Sequence, residues 1–354
     1  MKKIKLNYLF IALALTVGLA SCHKDKEITK PDTPTAERAG LYVLNQGNLN
    51  SNNSTLTYYD YTTKKLTADI YKAANNADLG DTGNDAQIYG TKMYIVVNVS
   101  NVVDIVNAKT SKLIKQVSMG NRLPRSVAFY KSNAFITSTD GTVAVMDTTN
   151  FTISKYITVG RNPEQLVVSN DKLYVANSGG FSFGNPDKTV SVIDLTSLSE
   201  TKKITVTANP VSMVADGIGN VYVLSLGDFD KVAGGLTIID DKTDAVKSQP
   251  TVSVGYNVPM AAQGDFVYFA TADNKIAVYN TKTQALVRAN FINDGTVVTT
   301  PYAIAADPLT GEVFVADAKD YSSNGTLYAF DKTGKLEYSI ATGIDPGRIT
   351  FVNK

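Results

Sequence analysis

One short pattern returns seven times along this chain, and its spacing constrains the fold more than any other feature. Each copy has an apolar run with a central aromatic residue, a variable loop, and a second apolar run that ends in a polar turn. The aromatic residues stand 39 to 52 residues apart, at Tyr42, Tyr94, Phe135, Tyr174, Tyr222, Tyr268 and Phe314. Short strands repeated at this period are typical of propeller blades. The sequence therefore predicts an all-β fold, a seven-bladed β-propeller with four-stranded blades.

Each copy is predicted to form four antiparallel strands, A to D, because apolar and polar residues alternate as in a half-buried sheet. In the fourth copy the expected strands are residues 165–168, 173–177, 189–194 and about 201–206. Asn-Asp and Asp-Gly pairs provide tight turns, because both tolerate a positive φ. A long β-sandwich or two separate domains would not produce seven evenly spaced copies.

The two ends of the repeat region are incomplete in complementary ways. The first copy starts directly at strand B, near Leu41, and residues 347–352 resemble a strand A with nothing after it. Pairing these strands would complete the first blade and remove the exposed edges of an open ring. We therefore predict that the C-terminal strand closes the ring and that the propeller spans residues 40–354.

Residues 1–21 have the pattern of a signal peptide rather than of a folded element. Three lysines lie among the first five residues, and residues 9–20 are apolar but too few to span a bilayer comfortably. The sequence Leu-Ala-Ser-Cys at residues 19–22 resembles the lipobox of bacterial lipoproteins. That resemblance implies cleavage before Cys22 and lipidation of its sulfur. An ordinary signal peptide that happens to contain a cysteine is the alternative.

Residues 22–39 separate the lipobox from the first repeat. They carry mixed charges and prolines without any strand pattern. Such a segment is predicted to be a flexible tether, here lipidated at its first residue, that holds the propeller off a membrane.

The only histidine, His23, and the only cysteine both precede the repeats. A Ser-His-Asp or Cys-His arrangement and a histidine-based zinc or copper site are therefore excluded within residues 40–354. The net charge is +1 and the repeats contain no lysine or arginine run, which argues against nucleic-acid binding. Tryptophan is absent, which makes glycan binding less favoured without excluding it. The composition thus favours a protein that is not an enzyme and has no cofactor.

Carboxylate chemistry stays open in one segment, residues 78–85. It contains three aspartates, Asp78, Asp81 and Asp85, and an asparagine, whose oxygens could ligate calcium. The spacing does not match an EF-hand loop. A polar loop between blades is the plainer interpretation, and the sequence leaves the calcium question open.

Variation is concentrated on one predicted face. Strand direction alternates within a blade, so the B–C and D–A loops share a face, and the short, repetitive A–B and C–D turns share the other. Long variable loops on a rigid scaffold are where function is usually placed. The candidate ligand-binding residues in these loops are Asn45, Gln46, Asn98, Arg122, Arg125, Phe181, Phe183, Phe229, Tyr256, Tyr302 and Arg348.

Two levels of resemblance follow from these motifs. Residues 173–177 (LYVAN) and 189–194 (TVSVID) resemble the YVTN/YncE-type propellers over nearly all of residues 40–354. Residues 40–48, 58–61 and 79–85 are similar to surface propeller lipoproteins of Bacteroidetes. That group includes the BtuG-type proteins, which capture vitamin B12 and pass it to a TonB-dependent transporter.

The second resemblance implies a lipid-anchored protein of the outer membrane, exposed at the cell surface, whose partners are a small-molecule ligand and a TonB-dependent transporter. The resemblance also implies a corrinoid as the ligand, and the residues are compatible with one, because Asn and Gln side chains match its rim of amides and Tyr and Phe cover its apolar flanks. Two other classes remain open. One is a protein-interaction or adhesion module that uses the same face, and the other is a carboxylate-based lactonase or lyase.

Overall fold

Seven four-stranded antiparallel sheets make up the part of the chain that the computed structural model describes, residues 37–180, 182 and 184–354. Residues 36–354 form one compact unit. The predicted seven-bladed propeller is therefore confirmed. The predicted signal peptide, Cys22 and most of the tether lie outside the described residues, as do the candidates Phe181 and Phe183.

Each blade is named by its order in the chain, and its strands run from the ring axis outwards as A, B, C and D. In blade 1, strands B, C and D are β1 (Arg38–Asn45), β2 (Thr55–Asp60) and β3 (Leu66–Thr67). Blade 2 contains β4 (Gly83–Tyr89), β5 (Lys92–Val97), β6 (Val102–Asn107) and β7 (Leu113–Ser118). Blade 3 contains β8 (Pro124–Tyr130), β9 (Asn133–Ser138), β10 (Thr142–Asp147) and β11 (Ile153–Thr158). Blade 4 contains β12 (Pro163–Ser169), β13 (Lys172–Asn177), β14 (Thr189–Asp194) and β15 (Ser199–Thr205). Blade 5 contains β16 (Pro210–Ala215), β17 (Asn220–Gly227), β18 (Ala233–Asp240) and β19 (Ala245–Ser248). Blade 6 contains β20 (Met260–Gln263), β21 (Phe266–Ala270), β22 (Ile276–Asn280) and β23 (Ala285–Arg288). Blade 7 contains β24 (Pro301–Ala306), β25 (Val313–Asp317), β26 (Thr326–Phe330) and β27 (Leu336–Ala341).

The last strand, β28 (Pro346–Asn353), closes the ring as the sequence predicts. It pairs antiparallel with β1 and becomes strand A of blade 1, with Leu41 opposite Phe351 and Val43 opposite Ile349. Strand β1 begins at Arg38, two residues before the predicted start of the propeller. The first blade thus takes its inner strand from one end of the chain and its other strands from the opposite end.

The seven recurrent aromatic residues lie on strand B of successive blades, and all are buried. Three of the tyrosines, Tyr42, Tyr94 and Tyr174, also reach the C–D turn of the next blade through their hydroxyl groups. Tyr42 donates to the carbonyl of Ala108 at 2.9 Å, and Tyr174 donates to Asp244 at 2.5 Å. The repeat keeps an aromatic residue at this position because its ring fills the space between blades, and in these three tyrosines the hydroxyl also finds a partner there.

The A–B and C–D turns share one face, here called the turn face. Each C–D turn begins with an Asp or Asn whose side chain accepts hydrogen bonds of 2.6–3.1 Å from backbone N–H groups two to four residues further on. Such side chains stabilise turns by supplying an acceptor that the loop backbone lacks. These seven residues are Asp60, Asn107, Asp147, Asp194, Asp240, Asn280 and Asp331.

Both ends of the propeller meet at the turn face. Arg38 pairs with Asn353, and the carbonyl of Ala39 accepts a hydrogen bond from Tyr61, which follows the strand C residue Asp60. The opposite face, here called the loop face, carries the B–C and D–A loops.

A single short helix, α1 (Ile70–Asn75), lies between blades 1 and 2 within the described residues. The Asp69 side chain caps it by accepting a hydrogen bond from the Lys72 amide, and Asn76 ends it in the left-handed conformation. Tyr71 packs inward and donates to Asp104 at 2.7 Å. Among the described residues, no helix has the length and apolar character needed to cross a membrane.

Candidate ligand-binding funnel

A cavity of about 590 Å³ opens at the centre of the loop face and is here called the funnel. B–C and D–A loops from blades around the ring contribute to it, as the predicted alternation of strand direction requires. Gln165, Met260 and Arg348 also line a second cavity of about 430 Å³ between the inner strands. The funnel therefore continues into the channel along the ring axis.

Tyrosine and amide side chains form one wall of the funnel. The rings of Tyr302 and Tyr321 meet edge to face, with centroids 6.0 Å apart. Asn257 Nδ2 donates to the Tyr321 hydroxyl at 2.8 Å, and the Tyr302 hydroxyl donates to Gln46 Oε1. Burial raises the pKa of Tyr302, so its hydroxyl keeps its proton at neutral pH. This wall offers flat apolar surface beside groups that both donate and accept hydrogen bonds.

Two arginines face the funnel, and each has an acidic partner. Arg125 binds Glu164 through two guanidinium nitrogens, at 2.6 and 2.8 Å, and also contacts Asn84. Arg348 Nε lies 3.1 Å from Asp85 Oδ1, an ion pair without hydrogen-bond geometry across the boundary between the inner strands of blades 1 and 2. Their positive charges are therefore largely balanced within the protein.

Asp345 is the funnel residue whose charge is not balanced in this way. It lies in the loop before β28, is only 8% exposed, and lines the funnel. Its Oδ1 atom has no hydrogen-bond partner among the described residues. Burial, with a smaller contribution from the nearby Asp320 carboxylate, raises the pKa of Asp345 to about 6.

Six of the eleven candidate residues line the funnel: Gln46, Asn98, Arg125, Tyr256, Tyr302 and Arg348. Tyr256 is the most open of them, with 62% of its surface exposed. Phe229 does not line the funnel but lies beside Tyr256, with ring centroids 6.4 Å apart.

Two candidates have other surroundings. Asn45 is fully buried, and its amide donates to Thr55 and Thr57, so it holds the end of β1 to β2. Arg122 forms an exposed ion pair with Asp140 and stacks over Tyr156, with 4.0 Å between its guanidinium carbon and the ring centroid. Neither lines the funnel. Phe181 and Phe183 lie outside the described residues.

The sequence analysis missed Asp345, Tyr321 and Glu164. Asp345 was hard to find because an aspartate before a proline ordinarily indicates a turn. A comparison of repeats could have found it, since the residue before the first proline of strand A is asparagine at positions 162 and 209. The charge at this position in blade 1 is the signal that distinguishes it.

The three aspartates of the 78–85 segment are each engaged by the protein. Asp78 pairs with Lys72 at 2.7 Å, and Asp81 accepts backbone hydrogen bonds from Asn50 and Asn52 at 3.1 Å. Asp85 accepts from the Val127 amide at 3.0 Å and faces Arg348. Within the described residues, no cluster of three or more His, Cys, Asp or Glu is placed to hold a metal ion.

Solved structures with this architecture come from proteins of different kinds. Hydrazine synthase of Kuenenia stuttgartiensis is 15% identical, with a TM-score of 0.64 over 77% of this chain and 95% of that one. A quinoprotein alcohol dehydrogenase-like protein of Bacteroides thetaiotaomicron is 17% identical, with a TM-score of 0.66 over 89% and 79% of the two chains. At such identities the similarity shows the fold alone.

Sequence comparison assigns the family. No curated protein has a matching sequence. The model of a family described as a domain of unknown function, DUF5074, matches residues 39–343, which is nearly the whole propeller. The chain therefore belongs to the DUF5074 family.

Proposed function

We propose that the propeller is a non-enzymatic capture protein that binds a small-molecule nutrient, a corrinoid such as vitamin B12, in the funnel. The observation that carries this proposal is the funnel itself: an open cavity on the variable face, lined by tyrosines, amides and a buried carboxylate without a partner. Its volume falls within the range of ordinary ligand sites.

The chemistry of the wall supports a ligand rich in amides. Asn257 and Gln46 present side-chain amides beside Tyr302 and Tyr321. Amides donate and accept hydrogen bonds, so they complement the peripheral acetamide and propionamide groups of a corrinoid. The exposed ring of Tyr256 offers a flat surface to the apolar parts of the macrocycle. A corrinoid is larger than the cavity, so it would lie across the open mouth with one edge inside.

Cobalt coordination should not change on binding, because residues 40–354 contain no histidine or cysteine to replace an axial ligand. The absorption spectrum of bound cobalamin would then stay close to that of the free vitamin. The narrower resemblance to BtuG-type proteins remains a prediction, and this spectrum is one way to examine it.

Calorimetric titration with cyanocobalamin, on a chain that starts at residue 36, tests the proposal. We expect saturable binding with a stoichiometry of one, and only a small change in the visible spectrum. No heat of binding across the micromolar range, or a spectrum that indicates a new axial ligand, would contradict it.

We also propose that the mature chain is anchored to the outer membrane through a lipid on Cys22 and delivers its ligand to a TonB-dependent transporter. The lipobox-like residues 19–22 support the anchor. Replacing Cys22 by alanine should abolish palmitate labelling and release the protein from the membrane fraction. Unchanged labelling in that variant would rule out the lipid anchor. Co-purification of a transporter with the wild-type chain, after cross-linking on intact cells, tests the partner.

A further inference from the structure

Asp345 occupies a position that recurs at the start of strand A in several blades. Asn162, Asn209 and Asp345 all have positive φ, between 43° and 60°, and each directly precedes the proline that opens strand A. Asparagine and aspartate tolerate this backbone conformation about equally. The loop geometry therefore permits an Asp or Asn at position 345, as it permits Leu123 (φ 51°) before Pro124, but it does not account for a negative charge.

That charge has no protein partner to balance it. Oδ1 of Asp345 is buried and accepts no hydrogen bond from any described residue. The two arginines of the funnel are already held by Glu164 and Asp85. A buried polar atom without a protein partner costs free energy, and one that borders an open cavity is available to a ligand in that cavity.

The groups that face Asp345 do not neutralise it. Tyr302 on β24 is near enough for the carboxylate to contribute to the raised pKa of its hydroxyl. From the loop after β25, the Asp320 carboxylate repels that of Asp345. On its own segment, Arg348 is paired with Asp85. The Asp345 carboxylate thus has one acidic neighbour, Asp320, and the two arginines of the funnel pair with other carboxylates.

We propose that the Asp345 carboxylate is a ligand-recognition subsite that accepts a hydrogen bond from an N–H group of the bound molecule, a primary amide in the case of a corrinoid. An ionised carboxylate is a stronger acceptor than an amide or a hydroxyl, so one such contact adds both affinity and orientation. This inference rests on the proposed function, because it concerns the same funnel and the same ligand.

Capture is then coupled to proton release. The ligand N–H group binds the ionised form of Asp345, and the free protein holds a proton on this group in mildly acidic solution, because burial raises its pKa to about 6. Binding therefore expels that proton below neutral pH. Apparent affinity should fall by about tenfold for each pH unit below the pKa, because the fraction of protein with an ionised Asp345 falls by the same factor.

The test is a cyanocobalamin titration of wild type, Asp345→Asn and Asp265→Asn at about pH 7.5 and pH 5. Asp265→Asn removes the same charge from an exposed ion pair with Lys282 on the turn face, so it is a matched control. We expect wild type and the control to lose about tenfold in affinity at the lower pH. Asp345→Asn should bind roughly tenfold more weakly than wild type at the higher pH and show no pH dependence.

Proton release provides a readout that a folding defect cannot imitate. Titrations near pH 6 in two buffers of different ionisation enthalpy should show wild type releasing about half a proton per ligand, and Asp345→Asn releasing none. Wild-type binding that is independent of pH, or unaltered affinity in Asp345→Asn, would overturn the inference and leave the proposed function intact. Failure of wild type to bind cyanocobalamin at either pH would overturn both.

Discussion

The aspartates that open the C–D turns of the turn face and Asp345 on the loop face have opposite surroundings. On the turn face, Asp147 and Asp194 each accept two backbone hydrogen bonds, which lower the pKa of their carboxyl groups. On the loop face, Asp345 is buried without a donor, and its pKa is raised. The carboxylates of Asp147 and Asp194 are satisfied within their own turns, whereas the buried Asp345 Oδ1 remains available as an acceptor.

This difference separates residues that maintain the fold from residues available for binding. A repeated turn with repeated hydrogen bonds is what seven similar hairpins require for stability. An unsatisfied buried group makes no such contribution, and local departures of this kind are expected at functional sites. The comparison leads to the following expectations, in order of decreasing effect.

Deletion of residues 348–354 should have the largest effect, because it removes most of β28. Blade 1 would lose its inner strand and the buried side chains of Ile349 and Val352, and β1 would be left with an open edge. The loss should exceed the roughly 5–15 kcal/mol by which folded domains are stable, so we expect an aggregated or unfolded product. Circular dichroism during heating measures this. Removal of Lys354 alone, which forms an exposed ion pair with Glu37, is the control and should change little.

Substitution of the funnel tyrosines should weaken ligand binding without lowering the stability of the fold. We expect Tyr256→Ala and Tyr321→Ala each to cost about 1–3 kcal/mol of binding free energy, and the melting temperature to stay nearly constant because both side chains are partly exposed. Tyr156→Ala is the matched control, a tyrosine of similar exposure to Tyr321 that lies on β11 outside the funnel. Equal losses in all three variants would place the ligand elsewhere.

Asp345→Asn should stabilise the empty protein at neutral pH. Because burial raises the folded-state pKa of Asp345 from 3.8 to about 6, ionisation destabilises the fold as pH rises through this window. Asparagine avoids that cost, so we expect a gain on the order of 1 kcal/mol near pH 7.5, discounted for contact with solvent in the funnel. The gain should shrink as pH falls towards 4. Urea unfolding at several pH values would show it, and a loss of stability at neutral pH would mean that the carboxylate has a partner.

Asp147→Ala should lower the stability of the empty protein at neutral pH, by less than Asp345→Asn raises it. The lowered pKa of Asp147 means that its carboxylate stabilises the folded state above its ordinary pKa of 3.8, and that this contribution disappears as pH falls further. We expect a slightly lower melting temperature near pH 7.5, no difference in strong acid, and unchanged ligand affinity. Differential scanning calorimetry at both pH values measures the first two. A lower ligand affinity in this variant would contradict the assignment of fold stability to the turn face and of binding to the loop face.

Arg122→Ala should have the smallest effect. Its guanidinium pairs with Asp140 at the surface and lies outside the funnel, and exposed ion pairs contribute little. We expect affinity for cyanocobalamin within twofold of wild type by calorimetry. Arg125→Ala, which removes an arginine that does line the funnel, is the comparison and should weaken binding clearly.

The fold was predictable because its main determinant is periodic. Each strand B needs a large side chain between blades, so Tyr42, Tyr94 and their counterparts mark the repeat directly in the sequence. Strand C of the fourth blade was predicted with its observed bounds, Thr189–Asp194. Helix α1 was not predicted, because six residues carry too little periodicity to stand out within a repeat of strands.

For the site, the sequence could predict only which residues share the loop face, because strand topology alone determines that. Alternating strand direction brings Gln46, Arg125 and Tyr302 to one face, and the structure places all three in the funnel. Whether a side chain there is free or paired depends on contacts between blades. The pairing of Arg125 with Glu164 is therefore not visible in either loop by itself. The same reason explains why Asn45, buried against Thr55 and Thr57, resembled a loop residue in the sequence.

The meeting of both chain ends at the turn face has a consequence for delivery. The proposed lipid anchor would join the chain ahead of Arg38, on the side opposite the funnel, so an upright propeller would point its mouth away from the membrane. That orientation would suit the collection of molecules arriving from outside. Under the proposed delivery to a transporter in the same membrane, the propeller would have to tip over, and the length of chain between Cys22 and Arg38 would set how far it can turn.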